Sequence, residues 1–218
     1  MKLEDYFRID GTYELVDGFY NVKGSIRLIK IVNKLPVKFG NVSGNFYCYN
    51  NKLTSLEGSP KLVGGDFFCY LNKLNSLEGC PKRIGGNFSC INNNLTSLKG
   101  CPESVGSGFY CYENNLKSLE GCPSSIGGDF NCSINNLKSL EGCPTQVDGG
   151  FYCHSNKLTS LKGSPTRVGG DFWCGTNNLK SLEGCPLYIG DDFFCDETLH
   201  DTKEYRQYLI MEKLKKWN

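Results

Sequence analysis

The sequence lacks a charge excess and a long apolar segment. Its 24 lysines and arginines nearly balance its 23 aspartates and glutamates, so the formal net charge is +1. A chain near neutrality has no general attraction for nucleic acid or for an anionic membrane. No apolar run approaches the roughly 18 residues that a membrane span needs. The N-terminal segment carries Lys2, Glu4 and Asp5 where a secretion signal would be apolar, and we therefore expect a cytoplasmic protein.

The sequence is also poor in the residue patterns of catalytic and metal sites. It has two histidines, His154 and His200, and neither lies in a nucleophile motif or a phosphate-binding loop. The recurring Gly-Gly pairs do not have the glycine spacing of a dinucleotide site. The cysteines never occur as Cys-x-x-Cys, the usual local signal for zinc. These absences predict a protein that is not an enzyme and that holds no metal or cofactor.

What the sequence does contain is a 21-residue repeat that keeps its spacing over seven full units. The unit reads F-x-C-x-x-N-x-L-x-S-L-x-G-x-P-x-x-V/I-x-G-x. Self-similarity at such a period predicts a solenoid, in which each coil packs only on its neighbours. The cysteines that mark the repeat are Cys48, Cys69, Cys90, Cys111, Cys132, Cys153, Cys174 and Cys195.

The positions of the unit have separate physical roles. Phe and Cys alternate with outward residues, which is the period-2 pattern of a short half-buried strand. The two leucines extend the apolar column. The Gly, Pro and Val/Ile positions then bring the chain back in an extended return that is too short for a helix. We therefore expect one parallel strand in each coil.

An asparagine follows each cysteine by three places, where the strand ends. Amides stacked from coil to coil can donate to and accept from backbone groups that would otherwise be buried without partners. We expect these side chains to form one ladder along the solenoid: Asn51, Asn72, Asn93, Asn114, Asn135, Asn156 and Asn177.

The unit resembles the leucine-rich repeat, L-x-x-L-x-L-x-x-N-x-L. Phe67 and Cys69 fill two leucine positions, and Asn72 and Leu74 match directly. The proline-containing return is most similar to that of the repeats in secreted bacterial effectors, and the Gly-rich, Cys-rich composition to repeat proteins of bacteriophage and bacterial genomes. A glycine after the second leucine and one extra residue before the strand are departures. The resemblance covers about residues 42–195 and implies a leucine-rich-repeat-like solenoid, while the activity stays open.

Thirteen cysteines would suggest disulfides in a small secreted protein. Eight occupy the strand position, where parallel Cβ vectors give poor disulfide geometry. The other five alternate with Ser59 and Ser164 at one position of the return, which indicates that a small side chain is needed there. We expect free, buried thiols, with a few disulfides or a metal site as the alternatives. These five are Cys80, Cys101, Cys122, Cys143 and Cys185.

We expect a single domain that covers residues 1–218. An N-terminal cap over 1–21 precedes a degenerate first coil over 22–41, in which residues 22–28 parallel residues 42–48. Regular repeats cover 42–197, and a C-terminal cap covers 198–218. A helix is predicted over 201–217, with Asp201 or Thr202 as its N-cap. Its apolar face would cover the last coil with Tyr205, Tyr208, Leu209, Leu214 and Trp217.

The outward positions beside each core Phe and Cys carry nine large aromatic residues, with acidic residues along one edge. In leucine-rich repeats the outward strand residues line the concave contact surface, and a contiguous exposed apolar patch usually marks a contact site. Cross-strand stacking alone would also stabilise the sheet. The predicted partner-binding residues are Tyr47, Tyr49, Phe68, Tyr70, Tyr110, Tyr112, Tyr152, His154, Trp173 and Phe194, with Asp66, Asp129, Asp171 and Asp192 at the edge.

These features predict a protein-binding module that is not an enzyme. The similarity to phage and bacterial repeats suggests an inhibitor of a host or defence protein. One alternative is a single-stranded nucleic-acid binder, because lysines follow the strands beside the aromatic residues. Another is a structural protein that self-assembles through the aromatic residues. The lysines of the first alternative are Lys52, Lys73, Lys117, Lys138, Lys157 and Lys180.

Overall fold

The Phe-x-Cys segments form short parallel strands, as their alternation predicts. In the computed structural model, which describes residues 2–215 and the side chains of residues 2–210, Phe67 pairs in register with Phe46 and Phe88 of the adjacent coils. The result is a parallel β-solenoid of 21-residue coils. The strands of this first sheet are Phe46–Tyr47, Phe67–Phe68, Phe88–Ser89, Phe109–Tyr110, Phe130–Asn131, Phe151–Tyr152, Phe172–Trp173 and Phe193–Phe194.

The Val/Ile position of the return forms a second strand, which the sequence analysis did not predict. Val63 pairs with Val42 and with Ile84, and these side chains face the core. At Ile126 the pairing narrows to single bridges with the neighbouring coils. The return is extended, as expected, but it also builds a second sheet: β3 (Lys38–Val42), Leu62–Val63, Arg83–Ile84, Ser104–Val105, Gln146–Val147, Arg167–Val168 and Tyr188–Ile189.

The core between the sheets consists of columns of identical residues. The Phe rings of successive coils lie 4.9–6.0 Å apart from Phe46 to Phe193. The strand cysteine and both leucines of a central coil, such as Cys90, Leu95 and Leu98, are completely buried. All thirteen cysteines are free thiols, as predicted. Hydrophobic burial is therefore repeated in every coil and distributed along the whole solenoid.

A glycine closes the turn that follows the second leucine. In the first regular coil, the Ser59 N–H donates to the Leu56 carbonyl across 2.9 Å, and Gly58 between them has φ +89°. A positive φ at the third residue of such a turn favours glycine strongly. This requirement explains the glycine that departs from the leucine-rich-repeat pattern.

The asparagine ladder is present and joins each coil to the preceding one. The Asn114 amide donates to the carbonyls of Cys90, Cys111 and Tyr112 over 3.1–3.3 Å. Its carbonyl oxygen accepts the Leu95 N–H at 3.1 Å. The same set of bonds recurs for Asn72, Asn93, Asn135 and Asn156.

Replacement of one central asparagine should destabilise the solenoid measurably. Asn114→Ala leaves the buried Leu95 N–H without its acceptor and weakens the contacts of three carbonyls. Since an unsatisfied buried group costs about 1–3 kcal/mol, we expect the free energy of unfolding to fall by about 2–3 kcal/mol in urea titrations. Asn115 is the matched control, because it is exposed, and Asn115→Ala should change stability by less than about 0.5 kcal/mol. Equal losses for the two variants would contradict the ladder.

A β-hairpin starts the solenoid. Strand β1 (Phe7–Val16) pairs antiparallel with β2 (Phe19–Leu28) over ten residue pairs, after a 3-10 turn at Leu3–Asp5. The two-residue loop Asp17–Gly18 has positive φ at both positions, which matches the right-handed twist of a hairpin. The hairpin runs across residues 21 and 22, where the sequence suggested a boundary between cap and first coil.

Strand β2 starts both sheets of the solenoid. Its first half pairs with β3, where Val22 lies opposite Val42, and its second half places Ile26 opposite Phe46. Between these halves lies Gly24, at the position where every later coil turns from the second sheet to the first. Gly24 has φ +127° and faces Gly11 of β1, which has φ +132°. The hairpin therefore follows the corner of the solenoid, and these two glycines form its bend.

Helix α1 (Lys203–Lys215) lies at the other end of the solenoid, and a 3-10 turn at Glu197–Leu199 precedes it. The Thr202 hydroxyl accepts the Tyr205 N–H at 3.3 Å, so Thr202 is the N-cap. Tyr205 and Tyr208 contact the ring of Phe193, which confirms that the helix covers the last coil. Leu209, predicted on the same face, is exposed. The predicted contributions of Leu214 and Trp217 lie outside the described side chains.

The residue before each asparagine adopts a left-handed backbone conformation. Ile134 has φ +51° there and is 45% exposed, whereas Asn50 and Asn92 occupy the equivalent positions in other coils. A β-branched residue is strained in this conformation by about 1–2 kcal/mol, and asparagine tolerates it. We expect Ile134→Asn to raise the free energy of unfolding by about 1 kcal/mol in the same titrations. A loss of stability would show that Ile134 makes contacts that outweigh its strain.

Candidate functional site

The predicted aromatic residues lie on the outer surface of the first sheet. We call this surface, formed by the ten predicted aromatic and histidine positions from Tyr47 to Phe194, the aromatic face. Near its N-terminal end four rings pack together. Tyr49 stacks on Tyr70 at 4.5 Å between ring centres, and Tyr47 contacts Phe68 at 5.2 Å. The Arg27 guanidinium lies 4.8 Å from the Tyr49 ring and closes this first ring cluster.

A second ring cluster lies near the C-terminal end of the aromatic face. The Trp173 indole contacts Tyr152 at 5.8 Å, His154 at 6.0 Å and Phe194 at 4.6 Å. Trp173 and Phe194 remain 37% and 45% exposed. Burial lowers the pKa of His154, so its ring is neutral at physiological pH and acts as another flat apolar surface. Stacking stabilises both clusters, yet it leaves large ring areas in contact with water.

A groove of about 700 Å³ separates the two clusters. It forms because three of the outward positions carry short side chains, Ser89, Asn131 and Ser133. The sequence analysis predicted the depression at Asn131 and Ser133, and the structure extends it past Ser89 to the first cluster. Several lining residues were missed, because they are not aromatic or lie beyond the strand: Leu71, Ser89, Ile91, Asn92 and Glu113.

Two tyrosines flank the middle of this groove and lean toward the start of their strands. The Tyr110 hydroxyl lies so close to Gly108 that a side chain at residue 108 would collide with it, and Tyr152 lies over Gly150 in the same way. Since adjacent parallel strands are about 4.8 Å apart, these two tyrosines stand roughly 10 Å apart, with Asn131 between them. The arrangement leaves a gap with a phenol ring on either side.

Asp129 lies at the edge of this gap, in the coil between Gly108 and Gly150. Burial and the nearby Asp129 carboxylate raise the pKa of Tyr110. Burial, Asp129 and Asp171 together raise the pKa of Tyr152. Both shifts show that the negative potential of the carboxylates reaches the rings. The gap therefore offers aromatic faces and negative charge to any group that enters it.

The acidic edge has a structural role that the sequence analysis missed. The Asp66 carboxylate accepts the Asn87 N–H of the next coil at 2.8 Å, and Asp129 accepts the Gly150 N–H at 2.8 Å. Asp171 accepts the Asp192 N–H at 3.0 Å. The edge is thus a second hydrogen-bond ladder that follows each corner of the solenoid. A repeated Asp/Asn position before the Phe was the available signal.

Ser89 forms part of the groove floor. It is only 4% exposed, and its hydroxyl is one of the buried side-chain groups, within the described part of the chain, that make no hydrogen bond. Buried hydroxyls normally have a partner. An unsatisfied donor in the floor of a groove is therefore a feature that a bound polar group would use.

The lysines of the nucleic-acid alternative do not share one position. Lys52, Lys73 and Lys157 follow their strand cysteine by four places, and the other three, Lys117, Lys138 and Lys180, by six. All six are exposed. A basic groove that follows a nucleic-acid backbone needs a continuous row of cations. The distribution seen here does not provide such a row beside the rings.

Comparisons with known proteins leave the fold without a named relative: no protein family, curated protein or solved structure matches the chain. The parallel β-solenoid consequently rests on the repeat and on the strand pairing themselves. Within residues 2–215, no helix is long and apolar enough to cross a membrane.

Proposed function

We propose that this protein is a protein-binding module, not an enzyme, and that it engages one protein partner through the aromatic face. The observation that supports the proposal is the groove between two stacked ring clusters, with exposed Trp173 and Phe194 beside it. Rings already held by stacking lose little conformational freedom on binding, and aromatic residues dominate the energetics of protein interfaces. The repeat is of the leucine-rich-repeat type in this proposal.

The gap between Tyr110 and Tyr152 fits a single inserted side chain. A roughly 10 Å separation of the two strands leaves room for one chain with a ring on either side. Positively charged groups are attracted to the faces of aromatic rings, and Asp129 adds a carboxylate at the edge. We therefore expect the partner to insert a lysine or an arginine here.

By analogy with the phage and bacterial repeats that the unit resembles, the partner would be a host or defence protein that this protein inhibits in the cytoplasm. An inhibitor needs only a complementary surface, which agrees with the sparse catalytic inventory of the sequence. Fold analogy alone supports this step.

Affinity capture with three baits tests the proposal. The wild-type chain, the double variant Tyr110→Asn/Tyr152→Asn and a Lys82→Ala variant are used on extracts of the source cells. Asparagine is chosen because Asn131 occupies the equivalent position, and exposed Lys82 forms a surface ion pair with Glu103 away from the aromatic face. We expect one protein to be retained by the wild-type and Lys82 baits and lost from the double variant. Identical capture by all three baits would contradict the proposal.

Two other outcomes of the same experiment would favour the alternatives. Recovery of nucleic acid, with binding that falls steeply with salt and depends on Lys138 or Lys157, would favour a nucleic-acid binder. Recovery of the chain itself, lost in the double variant, would favour self-assembly through the aromatic face.

A further inference from the structure

We propose that β1 is a dimerisation edge, on which a second copy of this chain pairs antiparallel and continues the solenoid. This inference is independent of the aromatic face. In the described residues 2–215, β2 is the one strand that pairs with β1. The opposite edge of β1 thus presents a ten-residue row of backbone groups, and such an edge is a template for another strand.

The backbone groups available at this edge can be assigned. The Ile29 N–H donates to the Tyr6 carbonyl at 2.9 Å, so Tyr6 is a hydrogen-bonded position of the hairpin ladder. Hydrogen-bonded positions alternate along an antiparallel pair, and the even-numbered residues of β1 therefore face β2. The outward groups belong to the odd-numbered residues, including Ile9, Gly11 and Tyr13. Strand β2 supports the assignment, since its even residues Val22 and Ile26 bond toward the solenoid.

The exposed side chains of β1 lack the covering coil that the rest of the core has. Phe7 and Ile9 face the core, and Tyr13 and Leu15 share their face because side chains alternate along a strand. Yet Tyr13 is 41% exposed and Leu15 is 58% exposed. At the opposite end of the solenoid, α1 covers the last coil. A second hairpin added to β1 would cover Tyr13 and Leu15 in the same way that each coil covers the next.

The charges on β1 select one register for a two-fold pair. With Gly11 opposite Gly11 of the second copy, the outward groups face each other and the two bends coincide. Arg8 then lies opposite Glu14 of the second copy, twice. The neighbouring registers of the same parity place Asp10 opposite Asp10, or Asp10 opposite Glu14, and like charges directly opposite are unfavourable.

Within the hairpin itself, the position of Arg8 is electrostatically unfavourable. Arg8 lies directly opposite Arg27, and both Arg8 and Glu14 are exposed. Glu14 lies opposite the neutral Asn21. A carboxylate from a second copy next to Arg8 would relieve the repulsion between the two guanidinium groups. The strand therefore carries a charge pattern that is complementary to itself and not to its own hairpin partner.

A charge-swap experiment tests the dimer. Sedimentation of the wild-type chain between about 1 and 200 μM should show a concentration-dependent dimer of the 24.3 kDa chain. Arg8→Glu and Glu14→Arg should each weaken the dimer by at least about tenfold, because each brings like charges together. The double variant Arg8→Glu/Glu14→Arg restores opposite charges and should dimerise like the wild type.

An equimolar mixture of the two single variants provides the sharpest control. In a mixed pair, both contacts join a glutamate to an arginine, so the two variants should associate with each other although neither associates with itself. Circular dichroism of each variant shows whether the solenoid is folded. A wild-type chain that stays monomeric at about 200 μM, or a dimer that ignores all of these changes, would overturn the proposal.

Discussion

Between about pH 9 and pH 10.5 we expect this solenoid to lose its stability entirely, without added denaturant. The cause is the set of buried thiols. Burial raises the pKa of Cys101, Cys143 and Cys185 to about 12, from an ordinary value of 9.0. The pKa values of nine further buried cysteines are raised in the same direction by the same cause.

The sign follows from which state releases protons first. Above pH 9 the thiols of the unfolded chain ionise, while those of the folded chain stay protonated, so ionisation stabilises the unfolded state. The stability is complete below pH 9 and is lost as the pH rises. At pH 10 each buried thiol contributes about 1 kcal/mol to this loss, and twelve together exceed about 10 kcal/mol. Domains of this size are stable by about 5–15 kcal/mol.

Urea titrations in reducing buffer at pH values from 7.5 to 10.5 measure the effect. A variant in which the five return cysteines are replaced by serine is the matched control, since Ser59 and Ser164 occupy the same position in other coils. Its free energy of unfolding should fall with pH at about seven twelfths of the wild-type slope. A free energy of unfolding that stays constant up to pH 10.5 would show that the thiols are not buried in the folded chain.

The second large effect concerns binding by the aromatic face. Once the captured partner is purified, Tyr110→Asn/Tyr152→Asn should weaken its binding by about 100-fold or more in calorimetric titrations. Both rings flank the gap, and truncation of a central aromatic residue commonly costs about 2 kcal/mol. The melting temperature should change little, because both rings lie on the outer surface.

Charge at the gap gives this prediction its specificity. Asp129→Asn keeps the side-chain oxygen that accepts the Gly150 N–H but removes the negative charge. We expect a smaller loss of affinity, with a weaker dependence on salt than for the wild type. If Asp129→Asn binds as tightly as the wild type at low salt, the partner inserts an uncharged side chain.

Much of the solenoid follows from the sequence because the unit repeats its physical requirements seven times. The Asn114 position illustrates this point: an amide at every strand end predicts a ladder, and its bonds to Cys90 and Leu95 are those that a buried coil requires. The second sheet was missed because each of its strands has two residues and one buried side chain, as at Val63. A period-2 pattern cannot be recognised over so short a segment.

The candidate site was only partly predictable for a different reason. The short side chains Asn131 and Ser133 announced a depression in a row of rings. The lean of Tyr110 over Gly108 depends on which rotamer the ring adopts, and the sequence pattern contains no information about this. Likewise, Asp129 looked like a free surface charge, although it accepts a backbone N–H of the next coil.

Hydroxyl-radical footprinting of the complex tests the central proposal most directly. Oxidation of Tyr110, Tyr152 and Trp173 is compared with and without the purified partner. Tyr188, which is 40% exposed on the second sheet, serves as the internal control. We predict that the partner slows oxidation of the three aromatic-face residues several-fold and leaves Tyr188 unchanged. Protection of Tyr188 with unaltered oxidation of Tyr110, Tyr152 and Trp173 would place the partner on the second sheet and contradict the proposed function.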